Sequence, residues 1–172
     1  VDRSRGLGDV YKRQAMLLAS DNLPTKDEHN VRLCISAGEP LPSDLLARWQ
    51  GTFGVDVLDG LGTTEMLHIF VSNRPDAITP GSTGRVVPGY QIRLINDNNE
   101  VCAPGEMGVL EVSGPSSALM YWGQRQKTKD TFKGTWTRTG DNYSISEKGV
   151  MTYGGRNCLL YTSPSPRDLS TS

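Results

Sequence analysis

The chain has 172 residues, with 18 Lys and Arg against 19 Asp and Glu for a formal net charge of −1. That length supports one domain with a core, and balanced charge without a basic stripe argues against a nucleic-acid partner. No apolar run approaches a membrane span, and no hydrophobic segment follows the charged N-terminus as in a secretory signal, so a protein working off the membrane, in the cytoplasm, is expected.

Taken in chain order, "VDRSRGLGDVYKRQ" at 1–14 shows neither helical nor alternating apolar periodicity, and "CLLYTSPSPRDLSTS" at 158–172 ends in a Ser/Pro/Thr string. Both ends resemble peptides produced when sequencing-adapter read-through is translated. That sets 1–14 and 158–172 apart as non-native tails around a mildly acidic body at 15–157. A genuine chain with flexible termini is the alternative.

"VRLCISAGEPL" opens with a short β-branched apolar run that stops at Ala37-Gly38, as a buried strand running into a loop does. "PLPSDLLARWQGTFG" predicts an amphipathic helix, with Ser43 as N-cap, an apolar face of Leu45, Leu46, Trp49 and Phe53, and Gly54 just past its end. "VDVLDGLG" predicts a second strand. Strand, helix, strand over 31–62 is the unit of parallel sheets, whose ligands gather at the carboxyl edge of the strands. This α/β part is taken to span 15–75.

Beyond Asn73 the texture changes, and 76–157 reads as a β-rich, barrel-like part. Short runs such as "STGRVV", "YQIRLIN", "MGVLEVSG" and "TWTRTGDNYSIS" are separated by turn segments, "NDNNE" and "APGE". Arg93 within Tyr90 to Ile95, and Glu111 within Val109 to Val112, give the alternation of half-exposed antiparallel strands. One short helix, "QRQKTKDTFKG", interrupts them.

Three clusters carry chemistry. In "DGLGTTE", Gly60 and Gly62 permit close backbone approach to a flat ligand, Thr63 and Thr64 offer hydroxyls to phosphate oxygens, and Glu65 offers a carboxylate to Mg²⁺ or a nucleotide. An ordinary strand-to-helix turn with a threonine cap fits the same string. In "TRTGD", Asp141 can accept both hydroxyls of a ribose, or simply sit in a β-turn. In "YGGR", Arg156 can pin a ribose or phosphate, or lie solvated on the surface. Cys34, Cys102 and Cys158, odd in number and far apart, fit neither a disulfide framework nor a metal knuckle, and with His29 and His68 they show no metal-ligand spacing.

"SAGEPL", "DGLGTTE", "TRTGD" and "GGR", in this order over roughly 15–156, resemble the second half of the nucleotide site of adenylate-forming, AMP-producing acyl-CoA synthetases. "LDGLGTTEMLHIFVSNRP", "GSTGRVVPGYQIRL", "MYWGQRQKT" and "GTWTRTGD" look most like benzoate-CoA ligases and their hydroxy- or aminobenzoate relatives. The resemblance implies a partial parallel sheet with a helix, followed by a distorted-barrel subdomain, within a large N-terminal domain. It implies ATP, Mg²⁺ and coenzyme A as co-reactants and a small aromatic carboxylic acid as substrate. By the same resemblance Thr64 contacts the α-phosphate, Glu65 helps hold Mg²⁺, and Asp141 binds the ribose with Arg156 beside it. Gly38, Glu39 and Pro40 line the adenine side, and Asp59 and Gly60 flank the base. Ala37, Gly60, Gly62, His68 and Ile69 are assigned to the acid pocket, with His68 and Ile69 within one helical turn of Glu65; His68 equally fits a satisfied core histidine.

The family's Gly/Ser/Thr-rich phosphate loop has no counterpart here, nor has the small C-terminal domain that carries its catalytic Lys. The "GGR" element passes at Asn157 into "CLLYTSPSPRD" instead of a hinge. The chain is therefore read as a fragment, inactive by itself, of a larger ligase. A medium-chain acyl-CoA synthetase or a peptide-synthetase adenylation domain is the nearest alternative, and a non-catalytic β-rich binding module is the alternative of a different kind.

Overall fold

A computed structural model describes residues 10–156. Its elements are α1 (Val10–Leu18), β1 (Cys34–Ala37), α2 (Ser43–Phe53), β2 (Val57–Gly62), β3 (Ile69–Ser72), β4 (Arg85–Val86), β5 (Gln91–Ile95), β6 (Met107–Ser113), α3 (Arg125–Thr131), β7 (Phe132–Lys133), β8 (Trp136–Ile145) and β9 (Met151–Arg156). None of these helices is long and apolar enough to cross a membrane.

The first sheet runs β1-β2-β3-β4. β1 and β2 pair in parallel, with Ala37 opposite Gly60, and β3 and β4 continue antiparallel. The predicted strand-helix-strand unit is present: α2 buries Leu45, Leu46 and Phe53, and Gly54 ends it at φ +64° with its N–H donating to Gln50 O. That left-handed cap favours glycine because it has no Cβ.

Several local expectations need correction. Pro42, not Ser43, is the N-cap of α2, and Ser43 is its first helical residue. β1 begins only at Cys34, whereas Val31 and Leu33 are exposed. Helix α1 enters the segment 1–14 at Val10, and Ala15 and Leu18 pack on the cluster of Leu41, Leu45, Leu46 and Val57. Residues 158–172, including Cys158, lie outside the described residues.

The second sheet is antiparallel, in the order β5-β6-β8-β7, with β9 paired to β8. Glu111 is not half-exposed. It is 3% exposed and ion-paired at 2.8 Å with Arg93, the residue opposite it across the β5/β6 ladder. Arg93 also stacks over the Trp136 ring at 4.2 Å, so the charge that patterning assigned to solvent is neutralised inside the fold.

The two sheets share one core. Phe70 and Val71 of β3, with Met66 of the turn before it, pack with Leu94, Leu110, Val112, Tyr143 and Met151 from the second. Backbone bonds from Thr83 N to Met151 O (2.9 Å) and from Met151 N to Gly84 O (2.8 Å) stitch the junction. Gly84 makes this possible: it has φ +96°, and a Cβ there would lie 2.2 Å from Ser72 O.

Candidate nucleotide site

A cleft of about 860 Å³ opens where the carboxyl ends of β1 and β2 face β8, β9 and α3. That volume suits a nucleotide-sized ligand. Its lining contains Gly38, Glu39, Pro40, Asp59, Gly60, Gly62, Thr64, Glu65, Asp141 and Arg156, ten residues singled out in the sequence and drawn from four separate segments.

Each segment arrives by a definable route. Parallel pairing of β1 with β2 ends both strands at the same edge, which places the loop at Gly38 beside Asp59 and the turn after Gly62. The turn itself is closed by Met66 N donating to Thr63 O (3.2 Å) and to Thr63 Oγ1 (3.3 Å). The chain then reverses into β3, so the expected helical turn after Thr64 is absent. Gly60 and Gly62 are what let it reverse. A Cβ on Gly60 would lie 3.1 Å from Ile69 Cγ2, and one on Gly62 2.7 Å from His68 O. On the side where a Cβ would project, the returning strand fills the space, while both glycines also border the cleft.

Asp141 reaches the cleft through a bulge. Val109 of β6 pairs with Asn142 and Glu111 with Arg138, so Thr139 to Asp141 stand opposite a single residue, Leu110. Gly140 takes φ +79°, and Thr139 Oγ1 donates to Leu110 O (3.1 Å) while accepting from Asp141 N (3.2 Å). A bulge of this kind bends a strand and re-aims a side chain. On β9, Arg156 stands opposite Asp141, its Nε 3.8 Å from Oδ1; Gly154 leaves room for Met107 Sδ, 2.3 Å from where its Cβ would be.

Both buried carboxylates hold their protons more tightly than usual. Burial raises Asp59 to about 6 against weaker opposing help from the Leu41 and Gly60 backbone. Burial also raises Asp141, with Arg156 opposing and Glu65 adding to the rise. Among the described residues, no group of three or more His, Cys, Asp or Glu forms a metal cluster. The oxygen donors of Thr64 and Glu65 still suit Mg²⁺, which is commonly held by one or two carboxylates together with substrate phosphates.

Ala37, His68 and Ile69 are not part of the cleft lining. His68 is exposed at the end of the turn, its Nδ1 2.6 Å from Ile69 O. The cleft does gain residues that sequence reasoning left unassigned: Thr83, Tyr121, Lys127, Arg138, Tyr143 and Tyr153 among them. The Tyr121 hydroxyl donates to Glu65 Oε1, and among the described residues the buried Nε of Arg138 meets no hydrogen-bond partner. "MYWGQRQKT" contains Tyr121 and Lys127, but nothing local in it says which side chains turn inward.

Residues 11–122 match the family described as AMP-binding enzyme. The chain is 51% identical over 144 residues to a benzoate-CoA ligase of Thauera aromatica, covering 83% of this chain and 27% of that protein. The crystal structure of a benzoate CoA ligase from Burkholderia xenovorans LB400 superposes with a TM-score of 0.81 at 44% identity, over 90% of this chain and 32% of that one. An anthranilate CoA ligase solved in complex with anthranoyl-AMP gives 0.78 at 40% identity, over 83% of this chain and 28% of that one. The chain thus spans about a third or less of each of these proteins. Its fold, a mixed sheet joined to a curled antiparallel sheet, is that of the N-terminal domain of adenylate-forming enzymes, and the chain belongs to the AMP-binding enzyme family.

Proposed function

We propose that residues 15–157 are the second half of the AMP-binding domain of an ATP-dependent aryl-CoA ligase, with 15–75 as its α/β part and 76–157 as its β-rich part. The carrying observation is the convergence of Asp59 of β2, Thr64 and Glu65 of the turn after it, and Asp141 and Arg156 of β8 and β9 on one cleft. The identity to a benzoate-CoA ligase supports a small aromatic acid as substrate.

In the first step an acid oxygen attacks the α-phosphorus of ATP, the bond to pyrophosphate breaks, and an acyl-adenylate forms. In the second, the sulfur of coenzyme A attacks the acyl carbon and AMP leaves. The cleft contributes binding and orientation. Asp141 accepts the ribose hydroxyls, with Arg156 limiting the repulsion its buried charge would otherwise meet. Thr64 directs a hydroxyl at the α-phosphate, Gly38, Glu39 and Pro40 border the adenine, and Asp59 and Gly60 flank it. Glu65 would hold Mg²⁺, which when bound neutralises charge gathering on the phosphate oxygens. Arg138, whose buried Nε meets no partner among the described residues, adds a fixed positive group on the same wall. The acid slot is assigned to Ala37, Gly60, Gly62, His68 and Ile69, beside the cleft.

The test is acid-dependent exchange of pyrophosphate into ATP by the full-length protein. Benzoate should drive exchange far better than acetate or octanoate, and residues 15–157 alone should drive none. Preference for an aliphatic acid would replace the aryl reading with that of another acyl-CoA synthetase, and exchange by the isolated segment would overturn its role as an incomplete site.

A further inference from the structure

We propose that Tyr121 is a positioning residue that fixes the Glu65 carboxylate for the metal. The inference rests on the reading of Glu65 as a Mg²⁺ ligand. The phenol of Tyr121 donates to one oxygen of that carboxylate, Oε1, and Glu65 lines the cleft. A carboxylate anchored through one oxygen is held in a single orientation toward the cleft, where a cation bound with nucleotide phosphates would meet it.

The anchor is itself held on several sides. Tyr121 N donates to Thr128 Oγ1 at 3.1 Å, the ring lies 5.6 Å from the Phe132 ring, and Lys127 Nζ sits 4.1 Å above it. The segment carrying Tyr121 is also stitched to the Glu65 turn. Ala118 N donates to Glu65 O at 2.7 Å, and Ser116 Oγ donates to Met66 O at 2.5 Å while pairing with Tyr90 OH at 2.8 Å. Both partners of the phenol–carboxylate bond are thus set by backbone contacts before any ligand arrives. A glutamate free to rotate would lose rotamer entropy on binding a cation; one already oriented loses less. The phenol also keeps the second oxygen pointed without adding a charge that would compete with the metal.

Tyr121→Phe removes only the hydroxyl and keeps the ring on Phe132 and under Lys127. The experiment uses the full-length protein with ATP and reads Mn²⁺ binding by electron paramagnetic resonance, alongside metal-free AMP affinity by calorimetry. Tyr121→Phe should weaken Mn²⁺ binding about tenfold and leave AMP affinity within about twofold. Glu65→Gln should weaken it further, and Tyr121→Phe should add nothing in that background. Wild-type Mn²⁺ affinity in Tyr121→Phe, an additive loss on top of Glu65→Gln, or an equal loss of metal-free AMP affinity would overturn the proposal. Benzoate-dependent pyrophosphate exchange by the unmutated protein is run in parallel. Its absence counts against the ligase reading, whereas an unchanged Mn²⁺ affinity in an exchange-competent protein counts against Tyr121 alone.

Discussion

Replacing Asp141 with Asn tests the ribose assignment with little change in shape. The side chain is 12% exposed, and its nearest ionic partner, Arg156 Nε, is 3.8 Å away, too far for a strong hydrogen bond. Both carboxylate oxygens therefore retain capacity to accept from ribose hydroxyls. An accepted bond to a charged group contributes about 1.5–3 kcal/mol. The amide keeps one acceptor and turns a donor toward the other hydroxyl, so about one such bond is lost. AMP affinity of the full-length protein, measured by calorimetry, should fall by roughly ten- to 150-fold. The pH profile adds a second reading. Because burial raises the Asp141 carboxyl, the group takes up its proton at higher pH than an ordinary carboxylate as the medium is acidified. AMP binding by the unmutated protein should weaken as that proton is taken up, and Asp141→Asn should be flat over the same range. An Asn variant that binds AMP within twofold of the original, with the same pH profile, would refute the ribose role.

Asp59 predicts a pH dependence of stability. Burial lifts its carboxyl from the ordinary 3.8 to about 6, so the folded chain binds this proton more tightly than the unfolded one. The group's contribution is fully present below about pH 4 and is lost as pH rises to about 6, a span of about 3 kcal/mol; urea midpoints should show that loss, and Asp59→Asn should remove it. Phe70 is fully buried in the core shared by both sheets, so Phe70→Ala should cost about 3–5 kcal/mol in denaturant unfolding; a cost under 1 kcal/mol would mean that the sheets do not depend on this contact. Gly84→Ala should cost about 3 kcal/mol or more, since its Cβ meets the Ser72 backbone at φ +96°; near-wild-type melting would contradict the tight crossing.

What the sequence made legible was mostly local or set by one strand pair. Helix α2 and its Gly54 cap follow from 3.6-residue periodicity, and β1 and β2 follow from short β-branched runs flanked by turn residues. "MLHIF" misled because its apolar residues suit a helix as well as a strand. The decision for a strand comes from β2, whose Gly60 and Gly62 have no side chains to keep Ile69 and His68 away. Glu111 misled because alternation reports a face and not its covering; Arg93, 18 residues away in sequence, neutralises it, and Trp136 covers the Arg93 guanidinium. Tyr121 and Arg138 escaped for the same reason. Tyr121 meets Glu65 in the distant β2–β3 turn, and Arg138 stands at the bulge in β8, neither of which periodicity encodes. Glu65 and Asp141 stand out in the sequence as carboxylates beside glycine turns, Asp59 only through the family resemblance, and all three line the cleft.

The central claim is that this cleft holds the adenylate of an aryl-CoA ligase. The most direct measurement is a structure of the full-length protein with a non-hydrolysable benzoyl-adenylate analogue. The account predicts the ribose on Asp141, the phosphate-like group against Thr64, and the aryl ring beyond Gly60 toward His68. An analogue bound with its ribose away from Asp141 and its linker away from Thr64 would contradict it.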